Sequence, residues 1–467
     1  KGARVGLLIT RGFRDLLEIG YQNRPDLFAL EIVKSSSLAT EIAEVDERIL
    51  ADGSVSTPLD AANVGHALQQ FRDENIESLA VVLINSYVNP AHERRIGAIL
   101  AEVCPGVAVT LSCEVCPEAR EYERTSTAIA NAYVQPMMAG YLNRLKAAFA
   151  EAGCAAPIHL MTSGGSLASI ETAVRFPARL IESGPAGGAI LAARIAEERG
   201  EHRILSFDMG GTTAKICLIE NGRPLMARTF EVDRQSRFMK GSGLPVRIPV
   251  IEMVEIGAGG GSLARVDDLK RIVVGPQSAG SEPGPACYGR GGTEPTVTDA
   301  DLALGKIDAK NFAGGTIAID AAKAATALMH AVGTKLAMPL ETAAIGVSEI
   351  IDENMANAAR VHAVERGEAV AERTLIAFGG AAPLHASRLA EKLGIKRIVV
   401  PADAGVGSAI GFLAAPAAYE IVRSTYMRLD RFDALAANAL IDDMTADASQ
   451  HARNAAGNRP LVARRSI

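Results

Sequence analysis

The sequence predicts an α/β protein of more than one domain, and three observations carry that prediction. Strand-like apolar runs alternate with amphipathic helical segments, the arrangement of a sheet covered by helices. Glycine is abundant, with 44 residues of 467, as in loop-rich α/β enzymes. The hydrophobic fraction of 48% and charged fraction of 22% are ordinary for a globular chain. A length of 467 residues suggests about two to four domains, enough to bury cores without a disulfide or metal staple.

Apolar runs at residues 4–9, 78–84 and 107–111 read as strands, separated by helical segments at 61–74 and 92–103. Residues 120–152 form a long helical pattern that Pro136 is expected to kink or divide. A strand at 157–162 turns at Ser163-Gly164-Gly165-Ser166. Ser183-Gly184-Pro185 then opens a helix to Arg199, with serine as cap and proline in the first turn. Residues 204–208 and 214–220 make a hairpin with an unusual glycine turn, and Asn221-Gly222 signals the next reversal. Residues 257–315 are glycine-dense and poor in helix signals. Helices resume over 321–366 and lead into a β-α-β pattern at 374–400. Beyond Pro401 the pattern weakens to one helical segment near 431–457. This reading divides the chain at about 200 and 400.

Charge and cysteine usage narrow the function classes. A net charge of −6 with 4% aromatic residues offers no basic stripe for a nucleic-acid backbone, so no nucleic acid is expected as a partner. Cys104, Cys113, Cys116, Cys154, Cys217 and Cys287 lack the dense regular spacing of a secreted disulfide scaffold, which reads as a reducing, cytoplasmic setting. No uninterrupted apolar run approaches the roughly 20 residues of a membrane helix, so no membrane partner is expected. The chain starts at Lys1 without a methionine and enters a strand at once, which reads as a segment of something longer.

The chemistry concentrates in residues 207–222, where an aspartate at a strand end meets two glycines and two threonines. Glycine lets the backbone approach phosphate oxygens without a Cβ in the way, and the amides of Gly210, Gly211, Thr212 and Thr213 are candidate donors. Asp208, fixed at the strand end, is the candidate Mg²⁺ ligand and catalytic carboxylate, because a hard cation on nucleotide phosphates takes carboxylate oxygen and retained water. The alternative is an ordinary tight hairpin. Gly257 to Ser262 follow a β-like run, and Gly259 and Gly260 are candidates to offer amides to a phosphate or substrate anion; a tight structural bend fits equally. Glu252 and Glu255, three apart on that strand, point to opposite faces. Thr298 with Asp301 fits a helix N-terminal capping arrangement, the alternative being a carboxylate near metal. Cys113 and Cys116 have redox or zinc spacing, yet no second pair completes four ligands, so they read as two unconnected thiols.

The DMGGTT hairpin resembles a phosphate loop of the actin-like ATPases. Two further segments fall in the expected order: residues 182–200 are similar to the helix linking the two lobes, and residues 377–394 to the adenosine loop. That resemblance implies a two-lobed actin-like (ribonuclease H-like) ATPase fold, its first lobe N-terminally truncated, followed by part of a C-terminal domain. Under it, Gly379 and Gly380 admit the adenosine against the backbone, while His385, early in the next helix, simply packs.

Longer phrases resemble the hydantoinase A and 5-oxoprolinase family: TRGFRDLLEIGYQNRPDL from Thr10, REYERTSTAIANAYVQP from Arg120, SGPAGG from Ser183, IEMVEIGAGGGSLARVD from Ile251, the long glycine-proline run from Val274 to Gly305, and FGGAAPLHA from Phe378. The resemblance implies an ATP- and Mg²⁺-using subunit that works with a hydantoinase B-type partner subunit or domain. Such a subunit phosphorylates or otherwise activates the carbonyl of a cyclic amide such as a hydantoin, 5-oxoproline or a lactam. Some relatives instead carboxylate ketones such as acetone or acetophenone, and the actin-like fold also powers chaperone-like ATPases. Two departures stand out. No first phosphate loop of the family's form lies between Lys1 and Phe207, and Lys215 occupies a place where many members carry aspartate. A lysine there attracts phosphate rather than binding metal, and the resemblance associates it with the ketone carboxylases.

Overall fold

The computed structural model describes residues 2–24, 27–234 and 241–466. Pro25 and Asp26 of the Thr10 phrase, and both chain ends, lie outside the described residues. The chain divides into two compact units that are discontinuous in sequence. The first comprises Lys1–Ser183, Ala227–Val250 and Pro416–Ile467, and the second Gly184–Met226 and Ile251–Ala415. The sequence reading placed its divisions at 200 and 400, whereas here most of the C-terminal segment joins the first unit.

The first unit is built on a four-stranded parallel sheet, in the order Ala39–Val45, Val5–Thr10, Ser78–Val82, Ala108–Leu111. Val5–Thr10 is buried along its whole length, which explains its unbroken apolar run: a parallel strand covered on both faces has no solvent side to alternate with. The period of two still sorts its side chains. Leu8 packs with Val64, Leu68, Phe71, Ile96 and Leu100 from helices Ala61–Asp73 and Ala91–Val103. Leu7 and Ile9 meet Ile129 and Ala132 of helix Glu121–Glu151 on the other face. Asp60 caps the first of these helices, accepting from the amides of Ala62 and Asn63. Of the two outcomes expected at Pro136, a kink or a division, the division does not occur: Glu121–Glu151 runs as one helix through it, residues 124–132 are buried along it, and that packing outweighs the one hydrogen bond the proline removes.

In the second unit, Arg203–Met209 and Ala214–Glu220 form the expected antiparallel hairpin, with Thr374–Phe378 parallel beside the first strand and Met253–Ile256 antiparallel beside the second. Asn221 and Gly222 take left-handed conformations (φ 49° and 72°), as the next two-residue turn requires. Leu205, Phe207, Ile216 and Leu218 pack with Val347, Ile351 and Met355 of helix Leu340–Glu365. The glycine-dense stretch, read as poor in helix, contains a hairpin (Ser262–Val266 with Ile272–Ser278) and a helix, Val297–Ala303. That helix is capped by Thr296 and Asp299 in a reciprocal capping box, not by Thr298 and Asp301. The correction is a shift of two positions, which frees Asp301 for another role. Among the described residues no helix is long and apolar enough to cross a membrane.

Candidate functional site

The hairpin of the second unit sets a row of charges side by side. Lys215 is directly opposite Asp208 on one neighbouring strand and Glu255 on the other, so the three side chains share one face of the sheet. The Lys215 ammonium lies 2.8 Å from Glu255 and donates to the Thr213 hydroxyl at 2.8 Å. Asp208 accepts from the Ser408 hydroxyl at 3.0 Å. Burial raises the Asp208 pKa, against the opposing pull of the Ser408 hydrogen bond and the Lys215 charge. A cation arriving at this carboxylate would therefore gain a ligand not yet committed to an ion pair. Glu252, the other acid of that segment, pairs with Arg366 away from this row.

The turn between Asp208 and Lys215 is exposed at Gly211 and Thr212. A Cβ added at Gly210 or Gly211 would meet nothing within 4 Å, so both glycines border open space. The Gly210 amide already donates to the Thr213 carbonyl at 3.2 Å, which leaves Gly211, Thr212 and Thr213 as the candidate donors.

Gly259 and Gly260 take a different role from the one expected. The Gly259 amide donates to Ser262 Oγ at 2.9 Å and the Gly260 amide to the Gly210 carbonyl at 3.0 Å, while Gly261 donates to the Gly211 carbonyl at 2.7 Å. These donors are spent inside the protein. A Cβ on Gly259 would come within 2.6 Å of the Gly211 carbonyl and the Thr212 nitrogen. The glycine loop is thus a backbone buttress under the turn, the tight-bend alternative of the sequence reading. Thr298 fastens it from the helix side, its amide and hydroxyl both donating to the Gly260 carbonyl (2.7 and 2.9 Å).

Gly379 and Gly380 also separate. Gly379 has φ +96°, and a Cβ there would overlap the Asp208 carboxylate and approach the Met209 carbonyl to 2.6 Å. Its lack of a side chain makes room for Asp208. Gly380 is exposed and borders open space, and the next residue, Ala381, donates to the Met209 carbonyl at 2.9 Å. Ser408 was missed in the sequence, where the pattern weakens after Pro401. It stands on helix Gly407–Ala414, which lies against helix Ser183–Arg199 with glycine facing glycine: Gly187 and Gly411 leave no room for any Cβ between the two backbones. The only available signal was a pair of glycines four apart, Gly407 and Gly411.

His385 is fully buried, one ring nitrogen 2.8 Å from Asp352 and the other 3.0 Å from Asp301, which also pairs with Lys306 at 3.0 Å. Burial alone pulls its pKa down, but hydrogen bonds and charge from both aspartates override this and raise it to about 9. The histidine is packed, as expected, but as a cation between two carboxylates. Cys113 and Cys116 are free thiols, pushed upward mainly by burial, Cys116 to about 12. Among the described residues no group of three or more His, Cys, Asp and Glu is placed to hold a metal ion. A cation at Asp208 would need phosphate or water oxygens to complete its shell.

The chain matches the Hydantoinase/oxoprolinase family over residues 124–421 and the Hydantoinase/oxoprolinase N-terminal region over residues 1–104. It is 35% identical to the caprolactamase subunit alpha of Pseudomonas jessenii, over 92% of this chain and 61% of the relative. It is 34% identical to the acetophenone carboxylase gamma subunit of Aromatoleum aromaticum, over 86% of this chain and 56% of that one. The crystal structure of the ATP-dependent caprolactamase from Pseudomonas jessenii superimposes with a TM-score of 0.83 at 33% identity, covering 97% of this chain and 65% of that chain. The chain therefore spans less than two thirds of the length of these relatives, and it shares a mixed α/β fold with the caprolactamase structure.

Proposed function

Because the chain belongs to the hydantoinase/oxoprolinase family, we propose that it forms the nucleotide-binding part of an ATP-dependent amidohydrolase subunit. This subunit activates the carbonyl of a cyclic amide, such as a hydantoin, 5-oxoproline or a lactam, in the cytoplasm and together with a hydantoinase B-type partner subunit or domain. The second unit takes the part of an actin-like lobe, with the turn after Asp208 as a phosphate loop and the Gly379 turn as an adenosine loop.

The observation that carries the reading is the Asp208–Lys215–Glu255 row beside a turn whose glycines border open space. These residues fit a nucleotide phosphate with Mg²⁺: an uncommitted carboxylate for the metal, and backbone donors with an ammonium for phosphate oxygens. ATP supplies a phosphoryl group, which turns the poor leaving group of an amide oxygen into a good one. Asp208 would hold the cation, and Ser408 fixes its rotamer. Lys215, steadied by Glu255, would neutralise phosphate charge, and Gly211 to Thr213 would contribute amides. The glycine loop keeps the turn from relaxing, so these donors need no rearrangement when charge develops.

Phosphate release by the full-length protein with its partner subunit tests this reading, assayed with caprolactam, 5-oxoproline and hydantoin, with and without bicarbonate. Stimulation by a cyclic amide without bicarbonate is the expected result, and indifference to all three would overturn it. A second reading, a ketone carboxylase of the acetone or acetophenone type, rests on Lys215 and on the acetophenone carboxylase relative. It requires that a ketone and bicarbonate together stimulate release.

A further inference from the structure

The first unit contains a cleft of about 380 Å³ that the nucleotide reading does not use. Its walls come from residues 113–118, 175–179, 247–249 and 419–423, and from helix Ala434–Ala456. A volume of this size is typical of small-molecule sites, about 300–1,000 Å³. Five arginines line it, and their pairing is uneven. Arg175 lies 2.7 Å from Glu114, Arg247 pairs with Glu118 and Glu123 at 3.5 and 3.4 Å, and Arg423 pairs with Asp443 and, at 2.9 Å, with Asp447.

Arg179 and Arg94 are different. Arg179 donates to the Glu420 carbonyl at 2.9 Å and lies over the Tyr419 ring at 4.3 Å. Among the described residues neither it nor Arg94 has a carboxylate within ion-pair distance. The acids of the cleft are thus matched by three arginines, and two guanidinium groups are left over. The aromatic wall holds Arg179 in place: Tyr419 is stacked at 4.3 Å on His451, which also meets Phe176 at 6.0 Å and has Nε2 3.7 Å from Asp447. His451 Nδ1 is buried with no hydrogen-bond partner among the described residues. Burial lowers the pKa of this imidazole, so the ring adds no further positive charge to the cleft.

We propose that this cleft binds a small organic carboxylate, held by Arg179 and Arg94. A planar guanidinium meets a planar carboxylate with two parallel hydrogen bonds. Glu114, Glu118, Asp443 and Asp447 stand in the same walls, so a single negative charge is accommodated at less repulsive cost than the double charge of a phosphate.

Calorimetric titration of the full chain with acetate, benzoate and glutaramate, with glutaramide as the uncharged counterpart and inorganic phosphate as the competing anion, tests this. At least one of the three carboxylates should bind saturably, at least about ten-fold tighter than glutaramide or phosphate. Arg179→Gln and Arg94→Gln should each weaken it about ten-fold or more. Arg388→Gln, a partly exposed change in the other unit, should not alter it. Arg94 is exposed on helix Ala91–Val103, so its variant decides the matter even if Arg179→Gln fails to fold. No saturable carboxylate binding, a preference for phosphate, or an affinity indifferent to Arg94→Gln would each overturn the proposal.

Discussion

The hairpin turn of the second unit and the arginine cleft of the first are both polar, and they are built by opposite means. Around the turn, backbone holds backbone: Gly260 to Gly210, Gly261 to Gly211, Ala381 to Met209, with glycines wherever a Cβ would intrude. In the cleft, side chains hold side chains, through guanidinium–carboxylate pairs and stacked rings drawn from separate segments of the chain. A backbone-built site concentrates its sensitivity in a few glycines and one or two functional groups. A side-chain-built site spreads it over many contacts.

The largest test of that contrast is Asp208→Ala in the full-length protein. Phosphate release should fall by about 100- to 1,000-fold while stability changes by less than about 1 kcal/mol, since the buttress does not depend on this carboxylate. Near-normal turnover would remove Asp208 from the mechanism; a large loss of stability would show that the row is structural. Gly379→Val comes next, because it combines a left-handed φ with overlap onto Asp208 and Met209. A loss of about 2–4 kcal/mol is expected in denaturant unfolding. Gly380→Ala, one residue on but facing open space, should stay within about 0.5 kcal/mol and act on nucleotide affinity instead. Equal destabilisation by the two would break the distinction between buttress and binding edge.

The buried His385 network makes the stability of the second unit depend on pH. Its histidine is raised from 6.5 to about 9 on folding, so its contribution is fully present below 6.5 and is lost as pH rises through about 9. Asp301 is lowered, burial being outweighed by His385 and Lys306, so its contribution holds above 3.8 and is lost as pH falls through its folded value. Stability should therefore decline by about 1–3 kcal/mol between pH 6.5 and 9.5, and Asp352→Asn should flatten that decline. A pH-independent unfolding midpoint over this range would mean that the histidine is neutral. The smallest effect belongs to the cleft thiols. At pH 8 iodoacetamide should alkylate exposed Cys154 well before Cys113 and Cys116, followed by peptide mass mapping, because burial keeps the latter two protonated.

Whatever is local in the chain was legible in its residues. Apolar runs located three of the four parallel strands, and period-3.6 patterns their helices, because each buries faces its own residues specify; the polar edge strand Ala39–Val45 gave no such run. The Asp208 turn was legible for the same reason: a strand-end acid, two glycines and two threonines within six residues dictate a turn with an exposed backbone. Tertiary structure alone decided the partners. Ser408 reaches Asp208 across 200 positions, and Asp301 and Asp352 reach His385 across 84 and 33. It also decided that the Gly259 and Gly260 amides are consumed within the protein, and that Thr296 rather than Thr298 caps its helix. A glycine shows that a Cβ is excluded, not whether a ligand or another strand of backbone fills the space. An arginine shows a charge, not which carboxylate it meets. Those outcomes depend on which distant segments the packing brings within about 3 Å, and no local pattern encodes that distance.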